Sequence, residues 1–481
     1  MKPRRLTLAL ALATTAVLVA SMAASANGNK LILTDPFTNA SSQHKTVVEP
    51  DTFSAGSTIV AVAQTGRFFD GGASDIGFAT STNNGASWTS GVFPGITRYT
   101  NPPGPYDRVS DPSVAFDKRH NVWIASSLAL KDPGPNGAAV LASRSLTGGL
   151  SWTNPVTIAA AGAGQDFDKN WTVCDNSSTS PFYGSCYTQF DDFGHGNLLK
   201  IYYSRDGGLS WFPSRTPNAG VIGGQPLVQP SGKIIVPIDN ASETALGVTI
   251  STNGGGSFGP VATITSIVAA DDPGNIRSGP LPSAEIDGAG KVFVTWEDCR
   301  FRVGCSTNDL VYVTSSDGVS WSAVQRIPID PVTSSVDHLI PGIGVDKATM
   351  GSAAHVSVTY YFFSNVNCTE ATCDLFAGSI SSSNGGSTWS PAVTLRGPMK
   401  TSWLPNTTQG RMLGDYISTS FGGDGTSHGA VIGANPPPSP GTFDVALYDP
   451  PTRFKGGTAA ASDPVVAGTS HRPGVSALTR R

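Results

Sequence analysis

The sequence predicts an all-β fold made of repeated small antiparallel sheets, and three observations predict it. Gly, Ser, Thr, Pro and Asn are abundant while Leu and Glu are scarce. No long stretch carries the 3.6-residue periodicity of an amphipathic helix. A short turn-forming pattern returns six times along the chain, which marks a repeat architecture.

The chain opens with Lys2, Arg4 and Arg5, an apolar run from Leu6 to Ala20, and the small-x-small triplet Ala24-Ser25-Ala26. This order is that of a secretory signal cleaved after Ala26, so residues 1–26 are expected to be removed and the mature protein exported. The apolar run is too short to span a bilayer, and no later stretch is long enough, so no membrane insertion is expected. Charge is sparse and nearly balanced, with 31 Lys and Arg against 35 Asp and Glu and no basic block. Nucleic acid is therefore excluded as a partner, because binding it rests on many phosphate contacts.

The repeat follows S-x-D-x-G-x-[ST]-W. It is seen as Ser204-Arg-Asp206-Gly-Gly208-Leu-Ser210-Trp211, as Ser81-Thr-Asn83-Asn-Gly85-Ala-Ser87-Trp88, and as Ser382-Ser-Asn384-Gly-Gly386-Ser-Thr388-Trp389. Looser copies start at Ser145 and Ser251, and a sixth, from Ser315 to Trp321, is one residue short. Asp or Asn can accept hydrogen bonds from the turn's own backbone. Gly supplies a positive φ, and the terminal aromatic ring buries against neighbouring strands.

These motifs are Asp-box (BNR) repeats, and the chain resembles the sialidase-like β-propellers over nearly all of residues 27–450. The resemblance implies four-stranded antiparallel blades with each box between the third and fourth strands, a structural device with no catalytic role. Strands of a first blade are expected near 45–51, 57–64, 75–82 and 87–93. Five more blades span about 111–158, 168–215, 224–264, 281–327 and 340–395, and a last group lies near 411–420, 428–434 and 443–448. Lys30-Leu-Ile-Leu-Thr-Asp35 is a spare strand that would complete the last sheet and close the ring. Seven blades are favoured, with six the alternative. Residues 451–481, rich in Pro, Gly, Ala and Ser, read as a flexible tail.

Six cysteines fall into three close pairs, Cys174/Cys186, Cys299/Cys305 and Cys368/Cys373, which in an exported chain predict three local disulfides. None has the spacing of a zinc site, so no metal is assigned. No organic cofactor is expected, and a structural calcium ion is left open without a calcium-loop motif to support it.

Antiparallel order sends the box hairpins to one rim and the long, charged loops to the other. The resemblance to sialidases implies an arginine cluster for a substrate carboxylate, an acid, and a Tyr nucleophile paired with a Glu. Arg67, Arg300 and Arg411 are the candidate substrate ligands, and Asp70, Glu297 and Tyr416 the candidate catalytic groups. The family's Arg-Ile-Pro motif is missing: its place is taken by His44-Lys45-Thr-Val-Val-Glu49-Pro50. The expectation is a secreted, monomeric, carbohydrate-active propeller acting on a glycan or glycoconjugate. A sialidase-like exo-glycosidase hydrolysing terminal acidic sugars comes first. A lyase-type propeller and a non-catalytic glycan- or protein-binding propeller are the alternatives.

Overall fold

The computed structural model describes residues 29–453. The expected signal segment and residues 454–481 of the expected tail lie outside them. The chain is an all-β propeller in which every named strand pair is antiparallel.

Five sheets have four strands or more, so the count is five blades and neither seven nor six. Two local events account for the difference. The first two expected blades, Val47–Val92 and Arg108–Ala160, share one eight-stranded sheet because Ala73 pairs with Val109 and carries the ladder across. The last expected blade divides into two three-stranded pieces. In one, Lys30–Leu33 pairs with Val445–Asp449, which pairs with Val431–Ala434. In the other, Thr426–Gly429 lies between Thr419–Phe421 and Pro451–Arg453, so three residues of the expected tail are strand.

The innermost strand of successive sheets carries one recurrent irregularity. Register shifts interrupt it at Glu49, Asp111, Lys169, Gly223 and Ile340, and all five have φ between 46° and 57°. A bulge with a left-handed residue bends the strand and re-aims one side chain. Two residues after three of these shifts, and at Ser283 on a strand without one, a side chain accepts a backbone N–H of the next inner strand. Asp51 accepts from Val114 at 2.8 Å, Ser113 from Thr172 at 3.1 Å, Gln225 from Ala284 at 2.7 Å and Ser283 from Ile343 at 3.1 Å. Ser418 and Ser420 donate to the carbonyl of Thr52, joining the last inner strand to the first. Apolar side chains fill the wedges between sheets, among them Trp296, Phe293, Phe190 and Tyr361, all at most 1% exposed. Burial of this apolar surface is the main favourable term in folding.

The two rims differ in kind. The recurring turns lie with the first-to-second-strand turns, as the bonds from Asn84 N to Ser57 O and from Gly385 N to Ala354 O show. The long second-to-third-strand loops join the inter-sheet connections at the other rim. Arg108 to Asp132, Gln165 to Asp192 and Arg411 to Glu370 are examples of that joining.

Candidate functional site

Three of the bulge residues bring charge to the axis at the long-loop rim. Lys169 is bonded through its ammonium to Asp415, which follows Gly414 at the start of the last inner stretch. Arg277 reaches the same carboxylate with Nε at 2.6 Å from Oδ1. The segment bearing Arg277 is fixed by backbone bonds from Arg277 N to Arg411 O and from Arg411 N to Asn275 O, both 2.7 Å. Glu49 accepts from Gln64 Nε2 and from the backbone N–H of Asp415. Arg67, closing the strand Thr58–Arg67, donates to Gln64 Oε1 at 3.2 Å and to Gly72 O at 2.9 Å. The cavity among Glu49, Arg67, Asp111, Asp168, Lys169 and Arg277 is about 30 Å³, room for a water but not for a sugar.

Burial and neighbouring charge divide these groups sharply. Burial, reinforced by Asp415 and Asp111, pushes Glu49 up to about 8, and burial with Asp111 pushes Asp168 up to about 7. Burial acts on Asp415 in the same sense, but Arg277 and Lys169 outweigh it and hold that carboxyl well below its usual range. Burial and the nearby Arg277 lower Arg67 to about 10. The centre therefore contains a fixed carboxylate, three cations and at least one neutral acid.

Tyr416 stands directly beneath this centre, 8% exposed, donating to Pro112 O at 3.2 Å and meeting the Trp171 ring edge-on at 5.0 Å. Its phenol is pushed well above its ordinary value by burial and then by Glu49. Of the six expected site residues, Arg67 and Tyr416 thus share a neighbourhood, with Glu49 as the carboxyl acting most strongly on the phenol.

The other four are placed elsewhere. Asp70 forms an ion pair with Arg108 at 2.6 Å, and its side chain is 44% exposed. Arg300 grips Asp298, with Nε 2.8 Å from Oδ1, on the loop closed by Cys299–Cys305. Arg411 pairs with Glu370 at 2.8 Å, on the loop closed by Cys368–Cys373. Glu297 accepts from Ile340 N at 3.0 Å and belongs to a separate buried acidic group with Asp272 and Asp337. Burial and then Asp272 keep its carboxyl well above the usual range, and Tyr416 is not among its partners.

Sequence reading passed over Glu49, Asp111 and Lys169 as an axial set. Glu49-Pro50-Asp51, Asp111-Pro112-Ser113 and Ile340-Pro341-Gly342 repeat an x-Pro-x triplet at inner-strand bulges, and that repetition was the available signal. All three disulfides are formed as expected. Asp309, Asp330 and His338 lie close enough to hold a metal ion, but Arg302 and Arg326 each already bridge both carboxylates. Among the described residues no helix is long and apolar enough to cross a membrane.

No protein-family model matches the chain, and no curated protein matches it. Several solved structures are similar in chain path. A Hadza microbial sialidase aligns over 65% of this chain at 15% identity and a TM-score of 0.46, and the chain spans 63% of that protein's length. A Dyadobacter fermentans protein of unknown function aligns over 74% of this chain and 98% of its own, at 16% identity and a TM-score of 0.47. The intramolecular trans-sialidase of Ruminococcus gnavus aligns over 67% and 91%, at 11% identity and 0.45. Likeness of this degree assigns no activity.

Proposed function

We propose that this chain is an exported, glycan-directed propeller of the glycosidase type, acting on terminal acidic sugars at the axial centre of the long-loop rim. The observation that carries this reading is the meeting of Arg67, Arg277 and Lys169 with Glu49, Asp111, Asp168 and Tyr416 on the axis. Paired guanidinium groups suit a substrate carboxylate. Asp415 now fills that role toward Arg277, so an acidic sugar enters by displacing it. Glu49, neutral at pH 7, gives its proton to the glycosidic oxygen as the C–O bond to the leaving group breaks. Its carboxylate then takes the phenol proton as Tyr416 bonds to the anomeric carbon, and water displaces Tyr416 from that carbon, leaving the phenol protonated again.

Recognition without turnover is the second reading, and one observation favours it. Lys169 and Arg277 are already paired with Asp415, and the cavity holds no sugar in this state.

The test incubates the exported full chain with sialosides and with uronic-acid glycans, then repeats the assay with Tyr416→Phe and Glu49→Gln. Hydrolysis reduced at least about a hundredfold in both variants, with unchanged circular dichroism, is the expected result. Hydrolysis that survives both removes the axial centre from the reaction. Saturable binding with no turnover, lost in Arg67→Ala, moves the assignment to a recognition module.

A further inference from the structure

The axis holds a second and much larger space on the far side of Tyr416. This cavity is about 850 Å³ and opens at the rim of the short turns, where Gly56, Lys118, Asn121, Asp287 and Lys347 form its mouth. Its size falls in the range of about 300–1,000 Å³ typical of sites for small organic ligands. Tyr416, bonded to Pro112 O and packed on Trp171, stands between the inner end of this well and the ion cluster around Lys169. The two spaces are separate.

Phe53, Phe116, Trp123 and Trp171 supply the aromatic lining of the large cavity, with Trp123 held between Phe53 at 6.2 Å and Phe116 at 5.0 Å. Polar groups line it as well, among them Gln225, Ser283, Glu285 and Asp287, interleaved with Leu227 and Ile286. Gln225 is only 6% exposed, and its Oε1 is occupied by Ala284 N at 2.7 Å. Its Nε2 has no hydrogen-bond partner among the described residues, although it lines the well. The indole N–H groups of Trp123 and Trp171 likewise have no protein acceptor among the described residues. These donors are open to the well and can be taken up by a ligand oxygen.

We infer that this well is a binding site for the end of a neutral oligosaccharide, distinct from the axial centre of the long-loop rim. A pyranose has one C–H face and a belt of hydroxyls, which matches aromatic rings and hydrogen-bonding groups lining one well. Charge selects against an acidic sugar. Asp51, Glu285 and Asp287 face two cations, and one of these, Lys347, is engaged by Glu285 at 3.6 Å and by the Phe53 ring at 4.4 Å. The well is closed at its inner end, so the occupant enters by a chain end.

The test is calorimetric titration of the full chain with neutral tetrasaccharides of glucose, xylose, mannose and N-acetylglucosamine, alongside a sialylated glycan and an unstructured peptide. Two variants accompany it. Gln225→Glu keeps the acceptor for Ala284 and removes the donor, and Lys118→Trp narrows the mouth at an exposed position. One-to-one binding of at least one neutral glycan, weakened at least tenfold in both variants while thermal melting is retained, is the expected result. Binding of no neutral glycan overturns the inference. So does binding indifferent to both variants, or a well that takes only the peptide or the acidic glycan.

Discussion

At Asp206 a single carboxylate organises a whole hairpin. Its Oδ1 accepts from the backbone N–H groups of Leu209 and Ser210, both at 3.0 Å, while Ser204 Oγ accepts from Gly208 N at the same distance. Asn83, Asn253 and Asn384 repeat the arrangement with an amide oxygen, and Thr147 with a hydroxyl. The second glycine is required as well. Gly149 has φ 83°, and a Cβ there would stand 2.6 Å from Val60 Cγ2 on the strand Thr58–Arg67. Asp206→Ala removes the carboxylate acceptors and is expected to cost about 1–2 kcal/mol, read as a lower urea midpoint. Asp206→Asn keeps the oxygen that matters and should shift the midpoint by less than about 0.5 kcal/mol. An equal loss in both variants would show that charge, not backbone capping, is what the turn uses.

The turns were legible because their chemistry is local, with donor and acceptor two to four residues apart. Axial charges are the reverse case. Lys169 and Asp415 are 246 residues apart, and nothing near either one names the other. The same holds for Arg300 and Arg411, which stand out as charged loop residues while their partners, Asp298 and Glu370, decide what they do. Blade number failed for a related reason, since one pair, Ala73 with Val109, merges two expected units. Close cysteines, by contrast, are local and were readable. Cys174 and Cys186 lie directly opposite each other on paired strands, so their bond closes the loop between the first and second strands of that sheet. A double Cys174→Ser, Cys186→Ser variant is expected to lose roughly 2–3 kcal/mol, since the unfolded chain regains the freedom of that loop. The same change at Cys368 and Cys373, only five residues apart, closes a shorter loop and should cost less. The comparison of the two urea midpoints checks this, and equal losses would count against a loop-entropy origin.

Across the whole molecule, the price of the closed ring is a set of carboxyls taken out of water along its axis. Asp51, Asp168 and Glu49 are pushed up to about 7, 7 and 8, first by burial in each case, and burial also raises Asp75, Asp191, Asp239 and Glu297. Among the buried carboxyls of the described residues Asp415 alone moves the other way, held ionised by Arg277 and Lys169. For the raised group, the folded chain keeps protons that the unfolded chain has already released once pH exceeds its ordinary carboxylate values. Stability then falls as pH rises, because the folded state binds more protons over that interval. Contributions of Asp51, Asp168 and Glu49 are fully present below about pH 4 and are lost progressively up to their folded values, near 7 to 8. Asp415 offsets none of this near neutrality, since its own contribution is lost only in strong acid. Thermal melting at fixed ionic strength should therefore give a midpoint higher by several degrees near pH 5 than near pH 8, the reverse of a protein stabilised by exposed ion pairs. Glu49→Gln makes that group permanently neutral and should flatten the slope between those pH values while leaving the mildly acidic midpoint nearly unchanged. A midpoint that rises from pH 5 to pH 8 would mean that the axial carboxyls are ionised in the folded chain, and the neutral acid at Glu49 on which proton donation depends would be lost with it.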